Sequence, residues 1–342
     1  MAYRFISYLR KTVADPDIAL DLGTANTRLY ARGQGLIADE PSIVRMQTDT
    51  GRIEEVGISA AFSLKDKQHS IVSPLRAGVV ADVKATTALL TPLLRRGRRM
   101  GILRPRVLVC APTDACEEER AALIEATRSA GASAVAIAPE PLAAAIGGGM
   151  DVAAEHAQMI VDIGDGVTDV AVIRLGSLLV TDAVRIACSD LNQAVSDLAA
   201  ERYSLKLYQK EAERLVQKIG ATNPQNITSS FIAAGDDVRT GSLRRVNIYG
   251  HEIAAALNPV LKEIVTAIRQ AVHNLPPEIA CEVIESGIRL TGGGACLPGI
   301  TTLIANETNL AVKPVREPMH AVINGARQML AIGAATNLWL DA

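Results

Sequence analysis

Two segments of this chain read as copies of one another: Asp21-Leu22-Gly23-Thr24-Ala25-Asn26-Thr27 and Asp162-Ile163-Gly164-Asp165-Gly166-Val167-Thr168. Each follows a short apolar run (Ile18 to Leu20, Met159 to Val161) and precedes another (Leu29 to Ala31, Val170 to Ile173). The pattern predicts a strand, a tight glycine turn and a returning strand, so each copy is a β-hairpin with an acidic residue at its entrance. A duplicated hairpin implies a duplicated lobe. Two such hairpins facing each other would aim backbone N–H groups and two carboxylates into one cleft, an arrangement that holds a triphosphate and its Mg2+ without a Walker sequence.

Length supports the duplication, because 342 residues exceed what one hydrophobic core usually serves. A formal charge of -2 argues against general nucleic-acid binding, so no nucleic-acid partner is expected. Cys110, Cys116, Cys188, Cys281 and Cys296 include no Cys-x-x-Cys pair and no histidine at metal-ligand spacing, and they read as reduced cytosolic thiols. No apolar run reaches the length of a spanning helix and no cleavable leader is visible, so the expected location is the cytoplasm. His69, His156, His251, His273 and His320 are dispersed and pair with no nucleophile.

The predicted organisation is an amphipathic segment over 1–13, then a first lobe over 14–148 with a small subdomain inserted at 33–75. A second lobe follows over 149–342, with an insertion at 190–255 and a C-terminal helix returning to the first lobe. Within the first lobe, Arg106 to Ala111 reads as a strand, Glu117 to Ala130 has apolar residues at helical spacing before Gly131, and Ala134 to Ala138 reads as a second strand. Hairpin, strand, helix and strand in this order resemble an RNase H-like lobe. Near the other end, Gly287 to Thr291 reads as a strand that empties into Gly292-Gly293-Gly294-Ala295, with a helix over Pro298 to Glu307. Such a triple glycine lets backbone approach a flat ligand closely, although taken alone it marks an ordinary turn as readily.

With these segments in order, the chain resembles the actin-like ATPase superfamily and, within it, the MreB family of rod-shape-determining bacterial actins. The resemblance rests on Ile18 to Thr27, Asp39-Glu40-Pro41-Ser42-Ile43-Val44, Pro105 to Pro112, Glu140-Pro141-Leu142-Ala143-Ala144-Ala145-Ile146-Gly147, the second hairpin, and Leu290 to Ala295. It implies an α/β actin-like ATPase fold, two RNase H-like lobes around a nucleotide cleft, each with a smaller inserted subdomain. It also implies ATP or GTP with Mg2+, slow hydrolysis, and homopolymer filaments at the inner face of the cytoplasmic membrane that organise cell-wall elongation. Elongation proteins of the RodZ and MreC type are the implied partners.

Residue by residue, the resemblance assigns Asp21 and Asp162 to Mg2+ through its water shell. It assigns Gly23, Thr24, Ala25, Asn26 and Thr27 together with Gly164, Asp165, Gly166, Val167 and Thr168 to the phosphates. Glu140 matches the water-orienting glutamate; as a sequence feature it equally fits a first-turn residue that complements a helix dipole. Asp190 lies where the family approaches ribose and metal. Glu213, Arg214, Leu215 and Val216 match the adenosine-side helix, and Gly292, Gly293, Gly294 and Ala295 complete the nucleotide set.

The chain also departs from the family. The second hairpin usually reads Gly-Gly-Gly-Thr-Thr-Glu, but here it is Gly164-Asp165-Gly166-Val167-Thr168-Asp169, nearer the eukaryotic actin pattern. Cys188-Ser189-Asp190-Leu191-Asn192 replaces a Gly-Asp-x-x-Asp run, and Val216 and Lys218 stand where a lysine and a glutamate are usual. These changes leave open a weak ATPase, a non-hydrolysing structural paralogue and, further off, a kinase-type phosphotransferase of the same fold. Two segments suit a membrane surface. One is the N-terminal stretch with Phe5, Ile6 and Leu9 on one helical face; the other is the run with Arg95, Arg96, Arg98, Arg99, Met100, Ile102 and Leu103.

Overall fold

The strand Ile18–Leu22 is buried at every position. A strand with both faces covered needs a near-continuous apolar run, and Ile18-Ala19-Leu20 supplies it. It pairs antiparallel with Asn26–Ala31 and parallel with Arg106–Ala111, at the centre of a six-stranded sheet. The computed structural model that shows this describes residues 17–63, 68–98, 103–221, 227–332 and 340–341. It divides into two compact units, Met1–Asp151 with His320–Ala342, and Val152–Met319. The expected 1–13 segment lies outside the described residues.

In the first unit the sheet runs in the order Leu340–Asp341, Ala134–Pro139, Arg106–Ala111, Ile18–Leu22, Asn26–Ala31, Gly35–Pro41. Ile18, Leu20, Val107 and Val109 share a core with Leu89, Leu90, Leu93 and Leu94 of helix Val83–Arg96. That helix starts where Asp82 accepts a hydrogen bond from the Ala85 N–H at 2.9 Å, satisfying one of its free donors. Helix Ala321–Ile332 packs on strands Ile18–Leu22 and Arg106–Ala111 and against helix Glu140–Gly147. Where these two helices meet, a Cβ on Gly147 would overlap the Ala321 carbonyl, and one on Gly325 would overlap the Ala143 carbonyl. The C-terminal helix thus belongs to the first unit.

The smaller subdomain differs from its expected span. Gly35–Pro41 is the third strand of the hairpin side of the large sheet, burying Ala38 and Glu40 on alternate positions. The separate three-stranded sheet begins only at Val44, with Val44–Gln47 between Ile53–Val56 and His69–Val72.

The second unit repeats the plan. Gln158–Ile163 pairs antiparallel with Thr168–Arg174 and parallel with Ile288–Thr291, in a five-stranded sheet completed by Ser177–Val184 and Val312–Pro314. Helices Cys188–Tyr203, Gln209–Ile219 and Gly250–His273 bury Leu191, Leu215 and Leu257 in one core with Met159 and Val161. A three-stranded sheet of Leu205–Leu207, Ser230–Asp237 and Leu243–Tyr249 lies within the span 190–255. Strand Ile288–Thr291 empties into a single 3-10 turn, Gly293–Cys296, and the next helix is Ile300–Thr308.

Candidate functional site

The two glycine turns close in the same way. The Gly23 N–H donates to the Asn26 carbonyl at 3.1 Å, and the Gly164 N–H donates to the Val167 carbonyl at 2.9 Å. In both hairpins the aspartate sits one pair further from the turn: Asp21 lies opposite Arg28, and Asp162 lies opposite Asp169.

In the first unit the turn is anchored from behind. The Ser42 hydroxyl donates to the Gly23 carbonyl at 2.6 Å and shares a 2.8 Å hydrogen bond with Thr27 Oγ1, while the Gly78 N–H donates to Thr24 Oγ1 at 3.1 Å. Such anchoring fixes the turn before any ligand arrives. Asp21, at the end of its strand, is buried, and burial pushes its carboxyl up to about 6 against the pull of Arg28. Strands Ile18–Leu22, Arg106–Ala111 and Ala134–Pro139 run parallel, so Asp21, Cys110 and Glu140 all fall at their C-terminal ends. In open α/β sheets that edge is where ligands bind. The Cys110 thiol is raised well above its ordinary range by burial and by the charges of Asp21 and Glu140. Glu140 opens helix Glu140–Gly147, directly after Pro139.

In the second unit the turn is tied to helix Cys188–Tyr203. The Cys188 N–H donates to the Gly164 carbonyl at 3.3 Å and the Ser189 N–H to the Asp165 carbonyl at 2.8 Å. The Thr168 hydroxyl donates to the Ile186 carbonyl at 2.7 Å. Asp190 accepts from the Ala187 N–H at 2.8 Å, so one of its oxygens is spent on capping its own helix. Asp165 is pushed up to about 6 by burial, with Glu213 and Asp190 adding like charge, which brings these three expected residues together. Because that value lies above the unfolded one, ionised Asp165 works against folding, and its cost grows as pH rises through this interval. Cys188 is pushed up to about 12 by burial, then by Asp165 and Asp162. It is a packed thiol rather than a reactive one.

The triple glycine reaches the same place. Gly292 has φ +81°, and a Cβ there would overlap an Asp162 carboxylate oxygen and the Ile163 carbonyl. At Gly294 a Cβ would overlap the Ile163 side chain, whereas at Gly293 nothing stands within 4 Å. Two glycines therefore serve close packing, whereas Gly293 has open space beside it and Ala295 packs against the core with its N–H donated to the Gly292 carbonyl.

Other expected residues fall elsewhere. Leu215 and Val216 have their side chains in the hydrophobic core, the apolar face of helix Gln209–Ile219, and Glu213 is the exposed member of that set whose like charge reaches Asp165. Arg214 is engaged by Glu211 at 2.8 Å and by the Ile232 carbonyl at 2.5 Å. Val167 is buried, filling space with an apolar side chain. Of the surface arginines, Arg96 pairs with the buried Glu40 at 2.5 Å, Arg95 is exposed and Arg98 is half-buried. Leu103 is 58% exposed. Phe5, Ile6, Leu9, Arg99, Met100 and Ile102 lie outside the described residues, and no described helix is long and apolar enough to cross a membrane. Sequence reading missed Arg28, Asp39, Ser42 and His320. Counting hairpin register back from the Gly23–Asn26 turn would have placed Arg28 against Asp21.

A hydrated Mg2+ suits the two aspartates unequally. Among the described residues no three His, Cys, Asp or Glu side chains gather where they could hold a metal ion directly. Asp162 stands opposite another acidic residue, Asp169, in the register of its hairpin, a pairing whose charge suits such an ion. Asp21 faces a guanidinium 3.5 Å away and does not fit it in the same way.

Comparison with known proteins agrees with this geometry. The profile of the MreB/Mbl protein family matches residues 15–337. The cell shape-determining protein Mbl of Bacillus cereus is 33% identical over 317 residues, covering 92% of this chain and 95% of that protein. The cell shape-determining protein MreB of Escherichia coli is 34% identical over 322 residues, covering 92% and 93%. MreB5 of Spiroplasma citri, solved with AMPPNP and with ADP, is similar at a TM-score of 0.83 and 29% identity, covering 92% of this chain and 95% of that one.

Proposed function

The chain belongs to the MreB/Mbl protein family, and from that premise we propose that it is a cytoskeletal ATPase that binds ATP, hydrolyses it slowly and assembles into filaments beneath the cell membrane to organise cell-wall elongation. Its fold is actin-like, as the likeness to MreB5 indicates. The observation that carries the proposal is the duplicated hairpin, with the same turn hydrogen bond in both units and an aspartate at the same register position. Backbone N–H groups from Thr24 to Thr27 and from Asp165 to Thr168 take the phosphates, since those of Gly23 and Gly164 close their turns, and the absence of a Cβ at Gly23 and Gly164 lets the phosphates approach. Asp165, Asp190 and Glu213 sit on the sugar side, where carboxylates accept from hydroxyls. Mg2+, held through water at Asp162, would neutralise phosphate charge. Glu140 orients the attacking water.

Self-association is the first proposed partnership. Membrane attachment is assigned to Phe5, Ile6 and Leu9 together with the basic run, where exposed Arg95 and Leu103 support the reading and Arg96 is committed to Glu40. RodZ- and MreC-type proteins are the proposed elongation partners. The buried Val167, which offers no hydroxyl where the family usually has threonine, favours a second reading: a paralogue that binds nucleotide and assembles without turnover.

Calorimetric titration checks the nucleotide claim. ATP with Mg2+ is expected to bind one per chain, and GTP titrated in parallel reads the base preference. A flat ATP titration on folded protein contradicts the proposal.

A further inference from the structure

The two hairpins differ at one register position, and the difference is a charge. Opposite Asp162 stands Asp169; opposite Asp21 stands Arg28. Residues directly opposite in an antiparallel pair share a face of the sheet, so their side chains meet. Arg28 Nη1 lies 3.5 Å from Asp21 Oδ2, and its Nε lies 3.1 Å from Asp39 Oδ1. The side chains of Arg28 and Asp21 are 10% and 8% exposed. His320 Nε2 reaches the other oxygen of Asp39 at 3.4 Å. One guanidinium thus bridges two carboxylates, the Asp21 side largely out of water and the Asp39 side exposed.

We propose that Arg28 is the resident cation of the first unit's hairpin, occupying the electrostatic role that a hydrated Mg2+ would have at Asp21, so that nucleotide binding by this chain depends only weakly on a divalent ion. The inference rests on the nucleotide reading above. Mg2+ held in the outer sphere needs a carboxylate whose charge faces it, and an arriving ion here meets a like charge instead. Arginine keeps its proton at any working pH, so the neutralisation is permanent, and burial protects the pair from screening by salt. A triphosphate placed against this hairpin encounters a neutralised aspartate rather than a bare one. The repulsion that Mg2+ ordinarily cancels is therefore already reduced on this side. Any remaining cation dependence comes from the second unit, where two carboxylates face each other.

The experiment is ATP titration of the full chain in Mg2+ and again in EDTA, with the ratio of the two Kd values as the readout. For the wild type the ratio is expected to stay below about tenfold; for Arg28→Leu it is expected to exceed about a hundredfold, and Arg28→Lys, which keeps the charge, stays near the wild type. A wild-type ratio above about a hundredfold overturns the proposal, as does an Arg28→Leu ratio equal to the wild-type one. Thermal melts establish that each variant is folded; if Arg28→Leu is not, the wild-type ratio and Arg28→Lys still decide. Failure of the wild type to bind ATP even in Mg2+ is a different result, which removes the nucleotide reading itself.

Discussion

Glu140→Ala is expected to lower the rate of phosphate release by about a hundredfold or more while ATP still binds, the scale on which a positioned acid-base group usually acts. The expectation comes from placement. Glu140 follows the parallel strand Ala134–Pro139 and stands at the same sheet edge as Asp21, close enough that both charges act on the Cys110 thiol between them. The competing account of this residue is a first-turn glutamate that favours the helix dipole, an effect worth about 0.3–1 kcal/mol of stability and nothing in turnover. The two accounts separate cleanly. A variant that melts within a few degrees of the wild type but no longer releases phosphate supports the water-orienting role; one that hydrolyses ATP at nearly the wild-type rate removes it.

Gly325→Val is expected to destabilise the first unit by about 3–4 kcal/mol, at the upper end of overpacking costs, because the obstacle is backbone rather than a movable side chain. A Cβ on Gly325 would overlap the Ala143 carbonyl and crowd the Gly147 nitrogen, and Gly147 is matched in turn against Ala321 and Gly325. The helices would have to separate, exposing Ala143, Ala144 and Ala326, all fully buried now. Thermal or denaturant melts check it. Gly293→Ala is the control, since nothing stands within 4 Å of its added Cβ, and it is expected to melt near the wild type. Equal melting of Gly325→Val and the wild type would mean that the helix contact contributes little to the unit.

Much of this was legible in the residues. The apolar runs on either side of each Asp-x-Gly turn specified the hairpins, since period and turn chemistry agreed locally. Arg106–Ala111, Glu117–Ser129 and Ala134–Pro139 were equally clear, each a single pattern bounded by proline or glycine. Gly35–Pro41 was not, because only two of its seven positions are buried and an edge strand carries a weak hydrophobic signal. Val216 and Leu215 were assigned to a ligand by likeness alone, while the helical period around Ala212 and Ile219 already marked them as core. The pairing of Asp39 with His320 joins distant parts of the chain through the returning C-terminal segment, and no local pattern reports such a contact. Arg28, by contrast, follows from hairpin register alone, which sets it opposite Asp21.

Electron microscopy of the purified chain before and after addition of ATP addresses the central claim most directly. The account predicts filaments with ATP and Mg2+, and dispersed particles without nucleotide. Folded protein that binds ATP yet forms no filament at any concentration tested would contradict it, leaving a nucleotide-binding protein of the family that does not assemble on its own.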